Sequence, residues 1–275
     1  MRYREFLRSR LKDIVPDDVI LPAGFHVVGY VALVRLNSEL MKYASSVGEA
    51  TLDYNQGLRS VAVRTGPTKG VERKPAYTVV AGSNDTTTIH TENGVHFRLD
   101  PTRVTFSGGN KGERIGMSKR VKAGECVVDM FSCVGQFALH IAKRNEVNVI
   151  AIEINPEAYR FLVENIKMNE LEHKVSAVLG DCRIVHPTHV ANRIIMGYLH
   201  DTEEFLPYAL DTLVEKGGTI HMHKATSDKS LQESITSITR ICRERGFVSD
   251  IEVRKIKNYS PGVSHLVFDI SVSFK

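Results

Sequence analysis

The chain of 275 residues is predicted to be an α/β protein, a doubly wound sheet with an antiparallel last strand behind a smaller α+β domain. Three observations predict this. From about residue 120, apolar runs of strand length alternate with helix-length amphipathic segments, the pattern of a parallel sheet covered by helices. The last two strand-like runs, residues 251–257 and 266–274, flank Tyr259-Ser-Pro-Gly, and so short a connection closes a hairpin. Before residue 100 the runs are short, β-rich and broken by turn residues. The expected domains are therefore residues 1–100 and residues 101–275.

The opening is an amphipathic helix, because Tyr3, Phe6, Leu7, Leu11 and Ile14 fall on one helical stripe. β-rich runs follow over residues 24–36, 60–65, 78–81, 86–92 and 95–99. Asn93-Gly94, between two alternating runs, is a strong hairpin signal. In the second domain, residues 127–130 form a strand and 135–144 a helix. The strand over 149–154 leads to a helix with a well-marked start. Asn155 caps it, Pro156 takes its first position, and Glu157 sits beside its positive end. Ala158, Leu162 and Ile166 give that helix its apolar stripe. Strands over 175–179, 193–198 and 219–223 follow, with helices over 203–215 and 229–245.

Composition bounds the function class. The early apolar run 27–34 is far shorter than a membrane span, and the opening lacks an apolar signal core, so no membrane partner is expected. Cys126, Cys133, Cys182 and Cys242 show no paired spacing, which predicts reduced thiols and a cytoplasmic protein. Residues 1–125 hold 19 Lys/Arg against 13 Asp/Glu, a balance of +6, while the remainder stands at −2. A basic first half beside a near-neutral second suits an acidic partner such as nucleic acid.

The chemistry is carried by Asp129-Met-Phe-Ser-Cys-Val-Gly-Gln-Phe and by Glu153 at the end of the next strand. An acid there can accept hydrogen bonds from both hydroxyls of a ribose. The loop keeps a single glycine, Gly135, where dinucleotide folds want three, so a pyrophosphate is disfavoured. A nucleoside with a sulfonium amino acid has no phosphate to cradle, and this predicts S-adenosylmethionine. Asp129 would meet its ammonium, Phe131 would line the pocket near the donor, and Glu153 would take the ribose. Asp181, with the Cys182 backbone beside it, would reach the adenine amino group. A single such acid is most simply a helix cap or a surface carboxylate. Three at the carboxyl ends of successive strands are harder to dismiss, because ligands of open α/β sheets bind at that edge.

These residues resemble the tRNA-modifying enzymes that act on the guanosine just 3′ of the anticodon. The matching motifs are Asp129 to Phe137, Glu153-Ile-Asn-Pro-Glu-Ala, Gly180-Asp-Cys-Arg, Lys257-Asn-Tyr-Ser-Pro-Gly-Val-Ser-His and, upstream, Asn93 to Ser107. The resemblance covers most of residues 60–275 and implies a class I S-adenosylmethionine-dependent methyltransferase-like, Rossmann-like fold. One branch of the family methylates guanosine at N1. It carries a Ser-Pro-Arg-Leu-like loop and an Asn-Leu/Pro-Pro-like motif. This chain reads Phe106-Ser-Gly-Gly-Asn-Lys-Gly-Glu-Arg and Met196-Gly-Tyr-Leu-His at those places. Both departures are similar to the wybutosine-synthesising branch of the second transfer step, and the length is similar to its archaeal members. That resemblance implies transfer of the 3-amino-3-carboxypropyl group of S-adenosylmethionine to a carbon of the tricyclic wyosine-precursor base in tRNA. Methylthioadenosine would be released. The alternative is the N1-guanosine methyl transfer of the sister branch.

Selecting the longer arm of the sulfonium requires its carbon to be placed in line with the base. Ser107, with the glycines that follow it, and Arg114 are the expected holders of the transferred group, Arg114 as a carboxylate partner. A solvated helix position is the other reading of Arg114. His200 or Tyr198 could assist loss of the ring proton, although the sequence singles out no catalytic residue.

His221 and His223 alternate onto one strand face and lack a third ligand at fixed spacing, so satisfied strand histidines are expected rather than a metal site. Arg64, Lys69, Arg73 and Lys74 are candidates for RNA phosphates or for an ordinary solvated loop. The expected partner is tRNA carrying a modified guanosine next to the anticodon, with no obligate protein partner.

Overall fold

The computed structural model describes residues 1–274. It forms two compact units, the first Met1–Lys111 and the second from Gly112 onward. The division falls later than residue 100 because the segment after it is tied back into the first unit. The Asp100 carboxylate accepts from the Thr86 hydroxyl at 2.7 Å and from the Thr102 amide at 2.9 Å. The Thr105 hydroxyl donates to the Arg73 carbonyl at 2.6 Å. Gly108 lies so close to His26 that an added Cβ would sit 1.8 Å from the imidazole.

The first unit opens with α1 (Tyr3–Arg10), followed by strands β1 (His26–Val28) and β2 (Val31–Val34). Helix α2 (Ala44–Tyr54) precedes the long hairpin of β3 (Ser60–Lys69) and β4 (Lys74–Gly82). These strands make one sheet in the order β1-β2-β3-β4, in which β2 and β3 run parallel. A separate hairpin, β5 (Thr88–Glu92) with β6 (Val95–Leu99), turns at Asn93 and Gly94. Both turn residues have positive φ, 48° and 78°, the conformation for which Asn-Gly is suited. Of the predicted α1 stripe, Tyr3, Leu7 and Leu11 are buried with Val15, while Ile14 is exposed.

The second unit contains a seven-stranded sheet with its helices. Helix α3 (Lys111–Arg120) leads into β7 (Cys126–Asp129), α4 (Ala138–Arg144), β8 (Asn148–Glu153), α5 (Pro156–Met168) and β9 (Val175–Leu179). A short α6 (Cys182–Val185), β10 (Arg193–Met196), α7 (Leu206–Thr212), β11 (Gly217–Thr226) and α8 (Leu231–Glu244) follow. The hairpin of β12 (Phe247–Ser260) and β13 (Val263–Phe274) completes the series. The strand order is β12-β13-β11-β10-β7-β8-β9. Five strands from β7 to β11 run parallel, and β13 inserts antiparallel between β11 and β12.

Alternation along the strands separates two faces. Ile220 and Met222 of β11, with Phe268 and Ile270 of β13, pack in one apolar cluster with Leu206, Leu210 and Ile238 of α7 and α8. Each such fully buried side chain stabilises the fold by roughly 1.5–3 kcal/mol relative to exposure. His221, His223, Asp269 and His265 alternate with those residues and so lie on the opposite face.

Candidate cofactor and substrate site

The helix expected over 135–144 starts at Ala138, because the preceding loop has left-handed backbone. Cys133 has φ 50° and Gly135 φ 92°, values a helix does not tolerate. A Cβ at Gly135 would also stand 2.7 Å from Leu139 Cγ and 3.0 Å from Leu162 Cδ1. Gly135 therefore serves both the turn and the close packing of α4 on α5.

Asp129, the last residue of β7, is fully buried. Its Oδ1 accepts from the Phe131 amide at 3.3 Å, while Oδ2 is buried with no hydrogen-bond partner. Burial pushes its pKa up to about 7, and Glu153 adds to the rise while backbone and side-chain donors oppose it. Such an acceptor suits a cationic group such as an ammonium.

Glu153 ends β8, and its carboxylate organises two loops. Oε2 accepts from the Cys133 amide at 2.6 Å and Oε1 from the Asn155 amide at 2.7 Å. Asn155 in turn caps α5 by accepting from the Glu157 amide at 2.9 Å, as predicted. A carboxylate oxygen has two lone pairs, so each can accept more than one hydrogen bond.

Asp181 caps α6 by accepting from the Arg183 amide at 2.9 Å. Arg183 Nε also donates to both carboxylate oxygens at 3.0 Å, and these bonds hold the Asp181 carboxyl below its ordinary range. An adenine amino group would have to share this carboxylate with Arg183. Cys182 beside it is buried, and burial pushes its thiol up to about 12. Phe131 stacks on Tyr198, with centroids 5.4 Å apart and planes at 25°.

Arg114 of α3 is not a solvated helix residue. It is 1 % exposed, and its Nη1 donates to Gln136 Oε1 of the loop after β7 at 3.2 Å. The structure thus brings Asp129, Phe131, Gly135, Glu153 and Arg114 to one loop system. Asp181 and Cys182 lie at the end of β9, beside β8. Ser107 belongs to the first unit, next to a short 3-10 turn over Gly108–Asn110.

Sequence reasoning missed a ladder of buried charge on the His221 face. Arg254 donates in a fork to Glu113, at 3.0 and 3.1 Å, and also to Asp269. Asp269 contacts His221 Nδ1 at 2.6 Å, Arg193 contacts His221 Nε2 at 2.6 Å, and Arg193 donates to Glu125 at 2.7 Å. Burial alone would raise the Asp269 carboxyl, but the bonds from His221 and Arg254 outweigh it and hold it well below the usual range. Burial lowers the His221 pKa, keeping the ring neutral. His223 Nδ1 lies 2.9 Å from His265 Nε2, so the strand histidines do partner protein groups. The outer nitrogens, His223 Nε2 and His265 Nδ1, are buried without partners. Among the described residues, no group of His, Cys, Asp or Glu is arranged to hold a metal. No helix among them is long and apolar enough to cross a membrane.

The reversed β13, the one-glycine loop and the acids at successive strand ends define an S-adenosylmethionine-dependent methyltransferase-like protein of class I. Residues 88–252 match the TRM5/TYW2 methyltransferase domain, and residues 7–86 match the TYW2 N-terminal domain. The chain belongs to the TRM5/TYW2 family. It is 38% identical over 275 residues to the tRNA(Phe) (4-demethylwyosine(37)-C(7)) aminocarboxypropyltransferase of Pyrococcus horikoshii, covering 98% of this chain and 96% of that one. It is 33% identical over 276 residues to the tRNA (guanine(37)-N(1))-methyltransferase Trm5b of Pyrococcus abyssi, covering 99% and 80%. The crystal structure of P. horikoshii TYW2 in complex with MeSAdo superposes with a TM-score of 0.85 at 36% identity, covering 98% of this chain and 99% of that one.

Proposed function

We propose that this protein transfers the 3-amino-3-carboxypropyl group of S-adenosylmethionine to a carbon of the tricyclic wyosine-precursor base, 3′ of the anticodon in tRNA. The observation that carries this reading is the whole-length relation to an aminocarboxypropyltransferase, including its TYW2-type first domain. The departures at Gly108-Gly-Asn and Gly197-Tyr-Leu-His agree with it.

When bound, S-adenosylmethionine supplies a sulfonium with electrophilic carbons and a neutral thioether as leaving group. The chain's own work is then positioning. Glu153 accepts the ribose hydroxyls while it fixes the loops after β7 and β8. The unpartnered Asp129 Oδ2 receives the ammonium. Arg114, held by Gln136, faces the carboxylate of the longer arm. Phe131 and Gly135 shape the pocket, and the chain at Asp181-Cys182 borders the adenine. The first unit contacts tRNA through basic side chains such as Arg64 and Lys69. Its substrate is tRNA already carrying the tricyclic base, and the reaction takes place in the cytoplasm.

The test supplies precursor-bearing tRNA with S-adenosylmethionine labelled in the methyl or in the carboxyl carbon. Carboxyl label in RNA, with methylthioadenosine released, is the expected result. Methyl label in RNA, with S-adenosylhomocysteine released, would assign the protein to N1-guanosine methylation instead.

A further inference from the structure

Aromatic rings from three separate stretches of the second unit meet at the carboxyl edge of its sheet. Phe131 follows β7, while Tyr198, His200 and Phe205 follow β10. Tyr259 stands near the end of β12, which runs in the same direction as β11. Phe131 stacks on Tyr198, and Phe205 sets its edge against both, with centroids at 5.0 and 6.0 Å. His200 continues the row 6.0 Å from Tyr198, and Tyr259 stands 6.0 Å beyond His200. The Tyr259 hydroxyl lies 3.3 Å from His200 Nε2.

A cluster that served only the core would be closed over by apolar groups. None of these five rings is fully buried, and Tyr259 is 45% exposed. The row begins two residues from Asp129, in the loop assigned above to the cofactor, and runs outward to the surface. The Arg183 guanidinium, paired with Asp181, sits 5.3 Å over Phe205. Aromatic faces with little charge of their own bind flat heteroaromatic rings by stacking, and a larger ring system offers more overlap.

We propose that Tyr198 and Tyr259 form the seat of the tricyclic target base, with His200 as the positioning residue that holds the Tyr259 ring through its hydroxyl. This inference rests on the transferase reading and adds the residues by which a tricycle is distinguished from guanine.

The experiment measures the affinity of the full chain, saturated with methylthioadenosine, for two tRNAs that differ only in carrying the tricycle or guanosine. Wild type is expected to prefer the tricycle. Tyr198→Ala and Tyr259→Ala should each weaken binding of the tricycle tRNA by roughly five- to a hundredfold, the range for loss of one base–aromatic stack, and so reduce that preference. Affinity for the guanosine tRNA should fall by a smaller factor, because guanine offers less overlap, and Tyr259→Ala should leave methylthioadenosine affinity unchanged. His200→Ala should reduce the preference less, and Tyr259→Phe should retain most of it. If Tyr198→Ala does not fold, Tyr259→Ala, at a half-exposed position, decides alone. An unchanged preference in Tyr259→Ala, or an equal loss for both RNAs, would overturn the seat. A wild type without preference that still transfers carboxyl label overturns the seat alone. Absence of both preference and transfer overturns the function with it.

Discussion

Glu153 reaches from the end of β8 to the backbone amide of Cys133 in the loop after β7, its Oε2 accepting at 2.6 Å. The residue that the sequence marks as a ribose acceptor is therefore also a structural tie. Cys133 needs it, since φ of 50° is unfavourable for a residue with a Cβ.

Glu153→Ala should consequently do two things at once. It leaves the Cys133 and Asn155 amides without their acceptor, at about 1–3 kcal/mol for each buried donor. Both the midpoint of chemical denaturation and the affinity for S-adenosylmethionine should fall. A variant that lost affinity at full stability would show that the tie contributes nothing.

Asp129→Asn should separate stability from binding. The raised pKa means that the folded state keeps a proton on Asp129 that the unfolded chain has lost between the ordinary carboxylate value and about 7. Above that range the buried anion destabilises the empty protein, and below it the penalty disappears. Asparagine should thus raise the melting temperature most at pH 8, less at pH 5, which lies inside that range, and little near pH 3. Cofactor affinity in wild type should weaken as pH falls through about 7, and the variant should bind weakly throughout. A melting temperature equally altered at pH 8 and pH 3 would refute the assignment.

Gly135→Ala should destabilise the second unit by about 1–3 kcal/mol, the usual cost of overpacking a filled site. The positive φ adds to that cost. Urea unfolding measures it, and the losses from Gly135→Ala and Leu139→Ala should sum to more than the loss in the double variant, because Leu139→Ala removes atoms that clash.

Arg254→Ala should be the most damaging of these changes, about 3–5 kcal/mol, because it strips Glu113 and Asp269 of a shared buried cation. Asp269, held below its unfolded pKa, contributes stability that is present above the ordinary carboxylate value and is lost as pH falls through its folded pKa. The variant should therefore begin to unfold at a higher pH than wild type in an acid titration followed by circular dichroism.

The parallel strands of the second unit are legible because each carries an apolar run with a breaker, and the cap of α5 because Asn155-Pro-Glu is an unambiguous start. By contrast, β12 is mixed in polarity and extends beyond 251–257 to Phe247–Ser260. Two helices are not legible. The inner face of α2 is built of Val47, Gly48, Ala50 and Thr51, residues too small and mixed to make an apolar stripe. The buried face of α3 is Glu113, Arg114, Met117 and Ser118, so a periodicity search reads it as solvent-facing. Sequence pattern is therefore equally compatible with a solvated and a buried Arg114, and it is buried. The charge ladder was invisible for a different reason. Arg254, Asp269 and His221 become neighbours only when β12, β13 and β11 are set in register, and nothing local in sequence announces that. The acids at the strand ends were readable because their position follows from strand order alone. Which of their oxygens were already engaged was not.

The placement of β13 has a kinetic side. Residues 263–274 follow every other strand of their sheet in the chain, yet they hydrogen-bond to β11 on one side and β12 on the other. Until that stretch arrives, β11 presents an open edge and β12 has nothing to join. The seven-stranded assembly cannot be completed progressively from its first strand. Its closure waits on a segment made late and placed in the interior, which favours slow, cooperative folding and leaves the partly synthesised chain open to wrong edge pairing.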